Sequence, residues 1–199
     1  MKRFNVTLDP TPHKAKPTAE VGAITERLKR AGATALDYDS FTAAVYRGCT
    51  WVPGTFGEPK VNDKGKLVWG DFEQLQVFAL DFDNDAPVLD GDGKPVKGKK
   101  RPLLPHEPGY LNPTQALERC ASLGLQPFMM YFSFHARQGW PRYRLVFDLG
   151  EPVTDEATAR AVIATILGEF AEADKKCVNT NRLFFGSGGK VHTFRECWT

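Results

Sequence analysis

Residues 78–85 form the string FALDFDND, an apolar run that enters three acidic groups, Asp81, Asp83 and Asp85, at every second position. Alternate side chains of a β-strand share a face and the strand rises ~3.3 Å per residue, so Asp81 and Asp83 point the same way with Cα atoms roughly 6.6 Å apart. Phe78, Leu80 and Phe82 then point the other way, into a core. Two carboxylates held this close on a rigid strand repel one another unless a cation sits between them. Hard divalent ions such as Mg²⁺ or Mn²⁺ match these oxygen donors. A strand end with solvated acids gives the same string. An EF-hand calcium loop fits poorly, because its sixth position needs glycine and Ala86 stands there. Asp85 lies past the strand end and is expected to be solvated or to cap a turn.

Working outward, residues 77–83 are the first strand of a β-α-β-β-α-β series, the ferredoxin-like or RRM-like arrangement of the α+β class. Asn112 caps a helix with Pro113 at its first position and Gly124 as its stop. PFMMYFSFH (127–135) is the second strand. RYRLVFDL (142–149) is the third, with Tyr143, Leu145, Phe147 and Leu149 alternating with Arg142, Arg144, Val146 and Asp148. A helix over 155–172 buries Ala159, Val162, Ile163, Ile166, Leu167 and Phe170. RLFFGS (182–187) supplies the fourth strand, beside the first. Residues 86–111 form a long Gly/Pro/Lys-rich connection, in which DGDGKPV (90–96) is a surface turn.

Upstream, residues 1–17 carry Pro10, Pro12 and Pro17 and are expected to form an extended polar arm. A helix spans 19–31, with Thr18 as candidate N-cap and Gly32 as stop. Residues 42–56 suggest a strand and a turn at Pro53-Gly54, and NDKGK (62–66) a hairpin turn. The division expected is a smaller N-terminal α/β module over 1–75 and an RRM-like catalytic module over 76–199.

The 199 residues are 42% hydrophobic and 12% aromatic, enough to build a core. A net charge of +2 decides nothing by itself, because nucleic-acid binding depends on where basic groups cluster. They cluster in KGKKR (97–101) and around Arg137, Arg142 and Arg144. Cys49, Cys120, Cys177 and Cys197 show no CxxC spacing, which argues against a zinc site and gives no disulfide framework. No apolar run approaches the ~18 residues of a membrane span, so a cytoplasmic location and no membrane partner are expected.

In RRM-like topology the first and third strands are neighbours and the second flanks the third. Ser133 and His135 then share a sheet with Asp81 and Asp83, and Arg142 and Arg144 lie on the adjacent strand. Carboxylates to hold metal, with His and Arg to hold phosphate, make a site for a metal–nucleotide complex. Asp174 precedes the fourth strand and can approach Asp81 and Asp83 from that edge. Alone it reads equally as a solvated helix end.

FALDFDN, then SFH followed by PRYRLVF, then DKKCVNTNRLFFGS together resemble the archaeo-eukaryotic primases, specifically the primase-polymerase domains of plasmid and phage replication proteins. That family's DxD is matched by Asp81 and Asp83, its small residue–x–His by Ser133 and His135, and its late acid by Asp174, with Cys177 and Arg182-Leu183-Phe184-Phe185 following. The match covers 77–187, while the first 75 residues correspond by length and position more than by residue. The resemblance implies a nucleotidyltransferase, a DNA primase or DNA polymerase of DNA replication, that extends a strand from nucleoside triphosphates. Asp81, Asp83 and Asp174 would hold two Mg²⁺ or Mn²⁺ ions, with no zinc. Ser133, His135, Arg142, Arg144 and Arg182 would bind the nucleotide. Lys97, Lys99, Lys100, Arg101 and Trp140 are candidates for contacts with a single-stranded DNA template, or RNA. The implied protein is a monomeric catalytic core, fused to or working with a helicase or another replication factor. Two rivals stay open: a non-catalytic RRM-like single-stranded nucleic-acid-binding module and a DxD metal-dependent phosphohydrolase.

Overall fold

The structure is a computed structural model that describes residues 2–187 and 189–194. Its first element corrects the expected polar arm, because β1 (Phe4–Asp9) is a strand. Phe4, Val6 and Leu8 are buried at alternate positions, a period-two signal that the prolines after it obscured. α1 (Val21–Ala31) follows a short 3₁₀ turn, Thr18 makes no capping bond, and Gly32 ends the helix with φ +62°. β2 (Thr34–Leu36) pairs antiparallel with β1.

A second helix, α2 (Tyr38–Tyr46), stands where the strand over 42–56 was expected to begin. The Asp37 carboxylate accepts the Ser40 N–H, and Phe41, Ala44 and Val45 bury one face at helical spacing. β3 (Thr50–Val52) pairs with the other edge of β1, and β4 (Gly54–Phe56) follows at once. β5 (Lys60–Val61) and β6 (Leu67–Val68) form the expected small hairpin, whose turn is tied by Asn62.

The decisive strand, β7 (Phe72–Phe82), is longer than its expected span at the N-terminal end. The connection expected over 86–111 contains a hairpin of β8 (Asp85–Leu89) and β9 (Pro95–Pro102). Its tip is the predicted turn, where Asp90 Oδ1 accepts the Asp92 and Lys94 N–H groups. α3 (Pro113–Ser122) has the capping box of Asn112 and Gln115. β10 (Met129–Phe132), β11 (Tyr143–Val153), α4 (Glu156–Gly168) and β12 (Val191–Thr193) complete the order.

The main sheet runs β12-β10-β11-β7-β4, antiparallel throughout, so β7, β10 and β11 are ordered as expected within an α+β fold. The fourth strand is a correction. Residues 182–187 are irregular, and their one bridge is Phe184 to Trp51 of β3. The edge of β7 is instead taken by β4 near Leu75, and further along by the 3₁₀ turn Lys175–Val178. There the Asp174 N–H donates to the Asp81 carbonyl at 2.9 Å and the Asp81 N–H to Cys177 Sγ at 3.3 Å. An Asn179–Arg182 turn then leads the chain away before it can pair.

Register on the central pair fixes what each face carries. Phe82 stacks on Tyr143 at 4.8 Å and Phe78 on Phe147 at 5.1 Å, cross-strand pairs on the core side. One hydrophobic cluster joins these rings to Phe4, Phe41, Trp51, Ile163 and Phe184. Among the described residues no helix is long and apolar enough to cross a membrane. Cys49, Cys120 and Cys177 are buried free thiols, and Cys197 lies outside the described residues.

Candidate active site

Asp81 sits opposite Arg144 in the β7–β11 register, on the face away from the ring stacks. It is only 4% exposed and Arg144 8%. Arg144 Nε donates to Asp81 Oδ1 at 3.0 Å and its Nη1 to the Phe185 carbonyl at 2.6 Å. The guanidinium also lies over the Tyr131 and Phe184 rings, at 5.3 and 5.5 Å. Arg182 Nη2 bonds Asp81 Oδ2 at 3.0 Å and Asp174 Oδ2 at 2.8 Å, so one nitrogen joins the two acids. Burial pushes the Asp81 pKa up, but Arg144 and Arg182 outweigh it and hold the carboxyl below its ordinary value.

Asp83 is less enclosed. Arg142, just before β11, forks onto its Oδ1 through Nε at 2.9 Å and through Nη2. Trp140 Nε1 donates to the Asp83 carbonyl at 2.9 Å. The Trp140 ring carries Arg137 at 4.9 Å and Arg142 at 5.5 Å, so it is engaged with guanidinium groups. Asp85 corrects its expectation of solvation, for its side chain is 9% exposed and bonds Lys100 at 2.8 Å.

Ser133 and His135 lie in a turn past β10 rather than on the strand, because the chain must reverse to meet β11. They line one cleft with Lys16, Asp83, Arg142, Arg144 and Phe185. The Ser133 hydroxyl and the Arg182 Nε are buried with no hydrogen-bond partner among the described residues. Burial lowers the His135 pKa, helped by Lys16 and Arg142 and opposed by Asp83, which favours the neutral ring. A neutral imidazole beside arginines can donate to or accept from a phosphate oxygen.

The structure thus brings Asp81, Asp83, Asp174, Ser133, His135, Arg142, Arg144 and Arg182 to one region. It does not bring the basic run there as a free patch. Lys100 is tied to Asp85 and Arg101 to Glu107, at 2.8 and 2.6 Å, leaving exposed Lys97 and Lys99 without an ion pair among the described residues. Lys16 was missed by the sequence reading. No local pattern marks it, and only the path of the chain after β1 delivers it to the cleft.

Among the described residues no three His, Cys, Asp or Glu side chains are gathered as a metal cluster. The donor chemistry nevertheless fits a hard divalent ion. Asp81 and Asp174 converge on one cationic nitrogen, and Asp83 and Asp174 open on a cavity of about 300 Å³ that Asp85, Glu172 and two cations, Lys100 and Lys176, also line. Arg182 and Arg142 now hold the positions facing these oxygens.

No protein-family model matches the chain, and no curated protein matches it. Among solved structures it is similar to the AEP domain (PP-N190) of the primase-polymerase (PrimPol) of cyanophage S-2L, with a TM-score of 0.43 and 12% identity, over 97% of this chain and 80% of that one.

Proposed function

We propose that the chain is the catalytic core of a primase-polymerase, which joins nucleotides from nucleoside triphosphates into a strand on a single-stranded DNA template. The observation that carries this reading is a juxtaposition. Three aspartates matched with arginines adjoin a cleft where the Ser133 and His135 side chains have no hydrogen-bond partner among the described residues. A nucleotide brings both halves of what such a site lacks, an anionic phosphate chain and the cations that accompany it.

Asp81, Asp83 and Asp174 would hold two divalent ions, Mg²⁺ or Mn²⁺. Such ions lower the pKa of an attacking 3′-hydroxyl and stabilise departing pyrophosphate. Arg182 and Arg142, released from the carboxylates, would turn their donors to the phosphates. His135 would hydrogen-bond a phosphate oxygen, with the Ser133 hydroxyl beside it. In this arrangement residues 76–199 carry the acids, while residues 1–75 lend Lys16 and the edge strand β4.

A base-stacking RNA-binding module is disfavoured, because Tyr131 and Phe184 are buried beneath Arg144 and the Trp140 ring is engaged by Arg137 and Arg142. The test is a gel assay with unprimed and primed single-stranded DNA, labelled nucleotides and either ion, run beside Asp83→Ala. Template-dependent products are expected only from the unaltered chain. Equal products from the variant, or none from either protein with either substrate, would overturn the proposal.

A further inference from the structure

After β1 the chain turns sharply, and the turn is clamped from several sides. Asp9 is wholly buried and takes the Arg27 guanidinium at 2.7 Å and the Thr11 N–H at 3.2 Å. The Pro10 carbonyl accepts the Cys49 thiol at 3.4 Å. Gly48, with φ +89°, packs so closely on His13 that a Cβ there would lie 1.9 Å from the His13 carbonyl oxygen. A Cβ on Gly186 would in turn lie 2.6 Å from Gly48 Cα. Three backbone segments therefore meet with no side chain between them, and the approach fixes where the next residues run.

Those residues place Lys16 at the cleft. Its Nζ is 5.8 Å from the Phe185 ring centroid, and it lines the cleft with Asp83, Ser133, His135, Arg142 and Arg144. The arginines are each matched by a carboxylate: Arg142 by Asp83, Arg144 by Asp81, and Arg182 by Asp81 and Asp174. Lys16 has no ion pair among the described residues. It is the cleft's uncompensated positive charge, and it faces the unpartnered Ser133 hydroxyl and the His135 ring.

We propose that Lys16 is a phosphate-binding residue that grips the polyphosphate tail of the incoming nucleoside triphosphate, held in place by the clamped segment between β1 and α1. This rests on the primase-polymerase reading and adds a residue and a selectivity to it. A compact ammonium on a flexible stem suits a point contact to a charged tail, and Lys16 Nζ already lies over the Phe185 ring at the cleft. A monophosphate carries no such tail, so Lys16 favours triphosphates over monophosphates.

The experiment is a binding titration of dATP and dAMP, each with Mg²⁺, into the unaltered chain, Lys16→Ala and Lys16→Arg. Lys16 is exposed, so its truncation is expected to leave the melting temperature unchanged. Lys16→Ala is expected to weaken dATP about tenfold or more and leave dAMP unchanged, while Lys16→Arg keeps most of the dATP affinity. Inorganic tripolyphosphate should compete with dATP on the unaltered chain and lose that advantage on Lys16→Ala. Unchanged dATP affinity in Lys16→Ala, or equal loss of dATP and dAMP, overturns the role of Lys16 while leaving the nucleotide site standing. Failure of the unaltered chain to bind dATP overturns the site and Lys16 together.

Discussion

Asp81 and Asp83 are two residues apart on one face of one strand, yet they live in different surroundings. Asp81 belongs to a closed inner network, with Arg144 packed between Tyr131 and Phe184, and with Trp51 Nε1 donating to the Tyr131 hydroxyl at 3.1 Å. Asp83 belongs to an outer rim with His135, Ser133, Arg142 and Lys16, open to ligands. A buried ion pair contributes little over an apolar replacement, but breaking it leaves an uncompensated charge in a low-dielectric interior. The Asp83–Arg142 pair is nearer water, with the Asp83 side chain 27% exposed, so breaking it costs less. The inner acid is therefore bound up with folding as well as with the proposed site, whereas the outer one is much less bound up with folding.

Substitutions that separate the two acids test this directly. The largest effects fall on the pair itself. Asp83→Ala is expected to lower nucleotide incorporation on the order of a thousandfold, with a melting temperature close to that of the unaltered chain. Asp81→Ala should also abolish incorporation, but it strands Arg144 and costs about 3–5 kcal/mol of stability. For a chain of this size that is a fall of roughly 6–20 °C in a thermal melt. Asp81→Asn keeps an acceptor for Arg144 and should fall less. Equal melting temperatures for the two alanine variants would erase the distinction between inner and outer acids.

A smaller effect comes from the rim histidine. With its pKa held below the ordinary value by burial, Lys16 and Arg142, His135 is expected to be neutral in the free protein at pH 7. A polyphosphate between it and those cations opposes their effect and raises the pKa, so binding takes up a fraction of a proton from the lowered value up toward the ordinary histidine value of about 6.5. Affinity should accordingly rise as pH falls through that range. Calorimetry in buffers of different ionisation enthalpy reads the proton, and His135→Ala should abolish the uptake and weaken dATP about tenfold. Release rather than uptake would contradict the assignment.

The smallest effect lies furthest from the acids. Lys97→Ala with Lys99→Ala should weaken single-stranded DNA binding a few-fold and flatten its salt dependence, whereas Lys100→Ala should act mainly through Asp85. An equal change in salt slope from Lys100→Ala would place all three lysines on the nucleic acid.

What was legible in the sequence follows the same division. Alternation made β7 and β11 readable, and with them the facing of Asp81 and Asp83 toward Arg144 and Arg142. Caps made α3 readable through Asn112 and Pro113. Asp174 reached Asp81 by a different route from the expected one, through a 3₁₀ turn rather than beside a fourth strand. Ring-rich RLFFGS has strong strand propensity, but β4 and the 3₁₀ turn Lys175–Val178 hold the edge of β7 between them, and tertiary pairing outweighs propensity. Lys16 and the burial of Asp85 were invisible for a related reason, since each depends on a long-range neighbour and leaves no periodic mark.

Asn84, the residue that closes the FALDFDN string, has one further consequence. It adopts a left-handed φ of +47° and is 4% exposed. Its side chain bonds the Leu111 carbonyl and N–H, both at 2.9 Å, and the Pro141 carbonyl at 2.7 Å, while its own carbonyl takes the Leu103 N–H. The whole excursion carrying the β8–β9 hairpin thus leaves and re-enters the molecule through a single knot. Loop-closure entropy changes only slowly with length once the ends are pinned. The hairpin beyond Asp85 is therefore a detachable cassette, one that could be shortened, lengthened or exchanged while Asp81 and Asp83 stay where they are.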